Sequence, residues 1–151
     1  MLKQKIMQKN QKINFSDFWE SFPEVELPVI LGENTHLEFS RRNPPIPTPI
    51  IHTFIEPLED DFDEFTEIIA CFRVAKTHDF HAVVYWKAGL LNYQYILATF
   101  EKNGRPIDRA VVAGMYTDGD VLTQSVANFE EDWMIHIVSG QLKDGGKTYD
   151  A

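Results

Sequence analysis

The sequence predicts a mainly β domain with a single antiparallel up-and-down sheet of about six strands, barrel-like or folded as a sandwich. Two observations predict this class. The second half of the chain carries six runs rich in Val, Ile, Phe, Tyr and Trp, residue types that suit a pleated surface. The segments between these runs are short and carry Gly, Asn or Asp, and connections this short join antiparallel neighbours. A length of 151 residues corresponds to one domain.

One N-terminal helix is predicted from Asn14 to Phe22, with Ser16 as its N-cap and Pro23 as its end. Four aromatic residues recur there with the spacing of one helix face: Phe15, Phe18, Trp19 and Phe22. Four rings on a short helix are too much apolar area to leave in water. We expect this face to pack on the rest of the domain or on a partner, and a homo-oligomer formed through it is one alternative.

A proline-rich covering segment follows, because residues 23–57 hold seven of the eight prolines. Prolines lack the backbone N–H, so neither a central strand nor a helix is expected to run through Pro44–Pro49. Short extended pieces are expected on either side, at Val25–Leu31 and Ile50–Ile55.

The strands are predicted at Glu67–Lys76, Phe80–Lys87, Tyr93–Glu101, Ile107–Ala113, Val121–Ala127 and Asp132–Ser139. Asn103-Gly104 predicts a two-residue type I′ hairpin, since both residue types tolerate positive φ. Several of these strands are apolar on both faces, so the sheet must be covered twice, with the N-terminal helix as one lid.

The single globular domain is expected to span residues 14–142, between a flexible basic tail at 1–13 and a loose C-terminal tail at 143–151. The first fourteen residues have no continuous apolar stretch of the kind a secretory signal needs, and no apolar run is long enough to span a bilayer. A cytoplasmic location and no membrane partner are therefore expected.

Charge gives the first indication of function. The net charge is −9, but the first twelve residues contain four lysines and no acid, so the rest carries 10 basic and 23 acidic residues, a net charge of −13. A body this acidic repels phosphate backbones, so no nucleic-acid partner is expected. It attracts a basic partner at low salt.

The acids are densest in residues 56–67, which hold seven of them among Leu58, Phe62 and Phe65. The residues predicted to bind a partner are Glu59, Asp60, Asp61, Asp63 and Glu64. No glycine follows Asp61 and Asp63 as a calcium loop requires, so no metal site is predicted, and no cofactor is expected.

No motif of a catalytic nucleophile is present, and Cys71 sits in an apolar strand, where a cysteine is usually inert. The leading hypothesis is a non-enzymatic acidic binding domain, in its most specific form an immunity or inhibitor-type protein for a basic partner. The main alternative is a small-ligand-binding barrel or enzyme with an aromatic-lined interior. Its pocket residues would be Tyr85, Trp86, Tyr95, Trp133 and His136.

The segment Tyr93–Gly114, YQYILATFEKNGRPIDRAVVAG, resembles a hairpin pattern of uncharacterised Bacteroidetes-type β-rich proteins. In those bacterial proteins a strand ends in K-x-G-x-x-I-D and a second strand follows; the matching residues here are Lys102, Gly104, Ile107 and Asp108. The resemblance implies a β-dominated domain of unknown function and no catalytic residues. Such proteins are often lipoproteins, whereas no lipobox cysteine occurs near the start of this chain.

Overall fold

A computed structural model of the chain describes residues 13–90 and 92–143. Of these described residues 45% are in strands and 20% in helices, and the curled antiparallel sheet of six to seven strands forms a half-barrel. The predicted mainly β class is therefore confirmed. The two predicted tails, 1–13 and 143–151, lie outside the described residues except for Ile13 and Lys143.

The helical elements precede the main sheet in the chain. They are α1 (Phe15–Glu20), α2 (Thr35–Arg42), α3 (Thr48–Ile50), a π-helical turn (Ile51–Ile55) and a 3-10 turn (Glu56–Leu58). The strands are β1 (Val29–Leu31), β2 (Glu67–Arg73), β3 (Phe80–Ala88), β4 (Tyr93–Glu101), β5 (Pro106–Asp118), β6 (Val121–Phe129) and β7 (Ile135–Lys143).

Strands β2 to β7 pair with their neighbours in chain order, and every pair is antiparallel, as the short connections predict. The short strand β1 joins the same sheet by pairing with the C-terminal end of β6, from Ala127 to Phe129. Strand β5 changes partner along its length, since it pairs with β4 up to Met115 and with β6 from Gly114 onward. A bulge in the β4–β5 register and the positive φ of Gly114 (140°) mark this transition. Bulges bend a strand and increase its twist, so they favour the curled sheet.

Both faces of the sheet are covered, as expected for strands that are apolar on both sides. Helix α1 and the helical segment 48–58 cover the first core. It contains Phe18, Phe22, Ile55, Val83, Tyr85, Ile96 and Phe100. Helix α2 and strand β1 cover the second core. It contains Leu31, Phe39, Phe72, Trp86, Tyr95 and Phe129.

The aromatic face of α1 lies against the chain's own sheet. Phe18 and Phe22 are fully buried, and the rings of Phe18 and Phe100 are 5.3 Å apart. Trp19 has its ring beneath the guanidinium of Arg73, 4.0 Å from the ring centre. Phe15 packs closely on Gly104 of the β4–β5 hairpin. The face predicted as an alternative oligomer contact is therefore taken up within one chain.

Three local predictions in the first sixty residues need correction. The N-cap of α1 is Asn14, not Ser16, and its backbone N–H donates to Asp17 Oδ2 at 3.3 Å. Helix α2 has no counterpart among the predicted elements. Residues Ile50–Ile55, expected to be extended, are helical and continue α3. Pro49 is compatible with this helix because it lies in the first turn, where its missing N–H breaks no hydrogen bond. Tertiary packing on the sheet overrides the weak local preferences here.

Two hairpin turns also differ from their predicted form. In the β4–β5 turn Gly104 has φ 94°, while Asn103 is not among the residues with positive φ, so the type I′ prediction is wrong. Instead, the backbone N–H of Glu101 donates to the oxygen of Arg105 and the N–H of Gly104 donates to the oxygen of Glu101, which closes a three-residue loop. A loop of the same form, with Trp133 at φ 64°, precedes β7, which therefore begins at Ile135 rather than Asp132.

Candidate functional site

A buried cluster of charged side chains joins the end of the helical segment to the sheet. Glu59 follows the 3-10 turn and is fully buried at its side chain. Tyr85 and Lys87 of β3 are two residues apart and so share a face of that strand. Arg109 reaches Glu59 from β5, on the other side of β4. The segment carrying Glu59 is thereby bonded to two strands of the sheet.

The Glu59 carboxylate accepts four hydrogen bonds. Oε1 accepts from Lys87 Nζ at 2.8 Å and from Arg109 Nη2 at 2.6 Å. Oε2 accepts from Tyr85 Oη at 2.6 Å and from Arg109 Nε at 2.7 Å. A carboxylate has about four lone-pair positions, so Glu59 has none left for a substrate. We therefore interpret the cluster as a structural clamp.

The charges in this cluster balance. Lys87 also donates to Asp61, so two carboxylates face the ammonium of Lys87 and the guanidinium of Arg109. Burial by itself raises the pKa of Glu59, but the hydrogen bonds from Arg109, Lys87 and Tyr85 outweigh it, and the pKa lies below its ordinary value. The hydrogen bond from Lys87 likewise lowers the pKa of Asp61. Glu59 therefore stays ionised at neutral pH and is a poor general base.

Tyr85 completes the clamp as a neutral donor. Its ring is fully buried in the first core. Burial, followed by the negative charge of Glu59, raises the pKa of its hydroxyl, so the proton stays on Tyr85. The hydroxyl thus contributes a hydrogen bond to Glu59 rather than a charge.

An exposed acidic segment, residues 60–67, extends from the clamp to β2. Asp60, Asp63 and Glu64 are exposed, and the side chain of Asp61 is 71% exposed although it pairs with Lys87. Phe65 is 63% exposed among these acids. Asp63 Oδ1 accepts from the Phe65 backbone N–H at 2.8 Å. This bond organises the turn that presents Phe65.

The predicted partner-binding residues therefore divide into two groups. Asp60, Asp61, Asp63 and Glu64 offer carboxylates to solvent. Glu59 does not, because its carboxylate is buried in the clamp, so it is not part of the exposed acidic segment. Lys87 and Arg109 were missed by the sequence reasoning. A lysine within the apolar run of β3 was the one local signal, since a buried lysine needs an acidic partner.

The five predicted pocket residues do not line one cavity. Tyr85 belongs to the first core, whereas Trp86 and Tyr95 belong to the second, on the opposite face of the sheet. Trp133 packs on Phe129, and His136 is exposed on β7. Nothing in this placement favours a ligand-binding interior.

Trp86 is further covered from outside by His36. The two rings are stacked, with centroids 4.3 Å apart and planes 2° apart. Burial lowers the pKa of His36, so the neutral imidazole is the favoured form at this contact. Because His36 belongs to α2, this contact closes the second core at the start of that helix.

Comparisons with known proteins give no family or relative: the chain matches no family model, no curated protein and no solved structure. The resemblance of Tyr93–Gly114 to Bacteroidetes-type proteins stays a prediction. Within residues 13–90 and 92–143, no three His, Cys, Asp or Glu side chains come together as a metal site requires. None of the described helices has the length and hydrophobicity that crossing a membrane requires.

Proposed function

We propose that this protein is an acidic interaction domain that binds a basic protein partner through residues 60–67. The observation that carries the proposal is the combination of an exposed aromatic ring, Phe65, with exposed carboxylates at Asp60, Asp63 and Glu64. Among the described residues, none of these three acids forms an ion pair. Their charge is thus available to an approaching cation.

The buried clamp supports this role because it fixes the position of residues 60–67 relative to the sheet. Glu59 holds the beginning of the acidic segment against β3 and β5, and β2 continues directly from its end at Glu67. Lys87 and Arg109, the cations at the beginning of this segment, are already bonded to Glu59. A segment held at both ends loses less conformational entropy when a partner binds.

Acidic and aromatic groups have different effects on binding kinetics. Surface charges mainly accelerate association, and their effect weakens with salt. A central aromatic side chain mainly slows dissociation, because it fills a dry pocket on the partner. A specific form of the proposal is an inhibitor or immunity-type protein that covers a basic toxin or nuclease, since fast binding suits that task.

The test begins with the immobilised full chain and a cell lysate at low salt. A stoichiometric basic protein that is released at high salt is then purified, and its association and dissociation rates are measured against three variants. D60N/D63N/E64Q is expected to lower the association rate by about tenfold and to flatten its salt dependence. Phe65→Ala is expected to raise the dissociation rate.

The matched control is E20Q/D79N/E101Q, which removes three exposed acids elsewhere and so changes the net charge equally. It is expected to stay within about twofold of the wild type in association rate. Equal slowing by both triple variants would mean that only the overall charge matters. No loss with D60N/D63N/E64Q would remove residues 60–67 from the binding surface.

A further inference from the structure

A groove separate from residues 60–67 runs beside the segment from Glu24 to Ile30. Its volume is 440 Å³, and helix α2 forms its other wall through Glu38 and Phe39. Val25 and Ile30 add apolar surface, and Ile30 is 59% exposed. The volume lies within the range of about 300–1,000 Å³ in which proteins bind small ligands or short peptide segments.

The charges along this groove are mostly negative. Glu24, Glu26 and Glu38 line it with exposed side chains, and Arg42 is the cation among the lining residues. Glu24 lies 4.0 Å from Arg73, at the limit of an ion pair. Within the described part of the chain, Glu26 and Glu38 form no ion pair.

A second groove lies next to the first, and Pro28 lines both. The second groove has a volume of 510 Å³ and is lined by Glu130, Glu131 and Asp132 of the β6–β7 turn, with Met134. Met134 is 56% exposed. We call these two neighbouring grooves the depression around Pro28; together they present apolar surface and six carboxylates.

This combination determines the occupant that fits. Lysine and arginine bury an aliphatic stem on apolar surface while the cationic head reaches a carboxylate at the edge. Two grooves of 440 and 510 Å³ that share Pro28 match a chain segment with several side chains better than a single small molecule. We propose that the depression around Pro28 binds a segment of another protein in which lysine or arginine alternates with apolar residues. This inference uses none of the residues 60–67, so it can fail or hold independently of the proposed function.

The experiment measures the fluorescence anisotropy of a labelled hexapeptide of alternating lysine and leucine, titrated with the full chain. Saturable binding that weakens with salt is expected. E24Q/E26Q/E38Q is expected to weaken it by about tenfold, because three partly exposed charge contacts are lost together. Ile30→Ser is expected to weaken it as well, because the leucines lose an apolar contact, while its exposed position leaves the core intact.

The matched control is E20Q/D79N/E101Q, which removes three exposed acids outside both the groove and residues 60–67 and so changes the net charge by the same amount. Binding within about twofold of the wild type is expected for it. Equal weakening by both triple variants would overturn the proposal, because bulk charge would then explain the binding. Equal binding of a glutamate–leucine hexapeptide would also overturn it. Full displacement of the peptide by butylguanidinium at similar concentration would assign the groove to a small cation instead.

Discussion

The ammonium group of Lys87 lies 2.8 Å from the carboxylate of Glu59, inside the protein and 28 positions away in the chain. Both side chains are almost completely buried, at 7% and 0% exposure. A buried charge is tolerated only with a partner, so each residue depends on the other. The pair sets the position from which the acidic segment begins.

Replacing Glu59 by Gln is expected to lower the free energy of unfolding by roughly 2–4 kcal/mol. The amide removes the negative charge, and its NH₂ group replaces the oxygen that accepted two of the four hydrogen bonds. Lys87 retains Asp61, and Arg109 is 30% exposed, which limits the loss. Urea unfolding measures this change in the free energy of unfolding. Asp60→Asn, one position further on and exposed, is the control and should stay within about 0.5 kcal/mol of the wild type. An equally small effect of Glu59→Gln would contradict the clamp.

Lowering the pH should reduce the free energy of unfolding, because Glu59 and Asp61 of the clamp become protonated. The pKa values of Glu59 and Asp61 are lowered in the folded protein. Their ionised forms therefore stabilise the fold above an ordinary carboxyl pKa of about 4, and this stabilisation is lost as the pH falls through the lower folded pKa values. The free energy of unfolding is expected to decline between about pH 5 and pH 2, and to decline less steeply in Glu59→Gln.

Urea titrations at a series of pH values measure this slope. Phe18→Leu is a suitable control, because it destabilises the first core while keeping the whole clamp. Its stability should decline in parallel with that of the wild type. A Glu59→Gln curve parallel to both would show that Glu59 does not contribute to the pH dependence.

Gly114→Ala is expected to destabilise the protein by about 3 kcal/mol or more. A Cβ at this position would lie 2.3 Å from the backbone oxygen of Tyr93, and φ is 140°, a conformation reserved for glycine. The backbone atoms of β4 cannot move aside without breaking strand pairs. Thermal unfolding followed by circular dichroism measures the loss.

Gly119→Ala is the matched control for this substitution. Gly119 also has positive φ, at 64°, but no atom beyond its two chain neighbours lies within 4 Å of the position of its Cβ. Its cost should be about 1 kcal/mol, from backbone conformation alone. Similar losses at the two positions would mean that the close approach to Tyr93 is unimportant.

The thiol of Cys71 is expected to be unreactive in the native protein. It is fully buried in the second core, and burial raises its pKa, so little thiolate forms at neutral pH. Ellman's reagent should label the wild type only after denaturant is added. Asp60→Cys, with one exposed thiol, should add one fast-reacting group without denaturant. Rapid labelling of the wild-type protein would show that the core around Cys71 opens readily.

The strand-rich half of the fold could be predicted because its signals are local. Tyr93–Glu101 was predicted with both boundaries correct, since a run rich in Tyr, Ile, Leu and Phe lies between the turn residues Ala88-Gly89 and Asn103-Gly104. The helical half was predicted poorly. Helix α2 has only eight residues, and its Phe39 is held against Phe72 of the sheet, a contact that no local pattern reveals.

The candidate site follows the same division. Clustered acids at 60–64 are visible in the sequence, and so is their exposure, because like charges at this density remain solvated. The burial of Glu59 is not visible, because it depends on Lys87 and Arg109 arriving from two strands. The groove around Pro28 also depends on distant segments, namely 24–30, α2 and the β6–β7 turn.

The sequence by itself determined the mainly β class, the antiparallel pairing of strands joined by short turns and the acidic composition. Each of these follows from residue type and short-range spacing, which act before the chain is folded. Only the tertiary structure decided which acid is buried, which aromatic ring is exposed and where a partner can lie. Those outcomes depend on hydrogen bonds and packing between residues far apart in the chain, where the energy of a side chain is set by its neighbours in space.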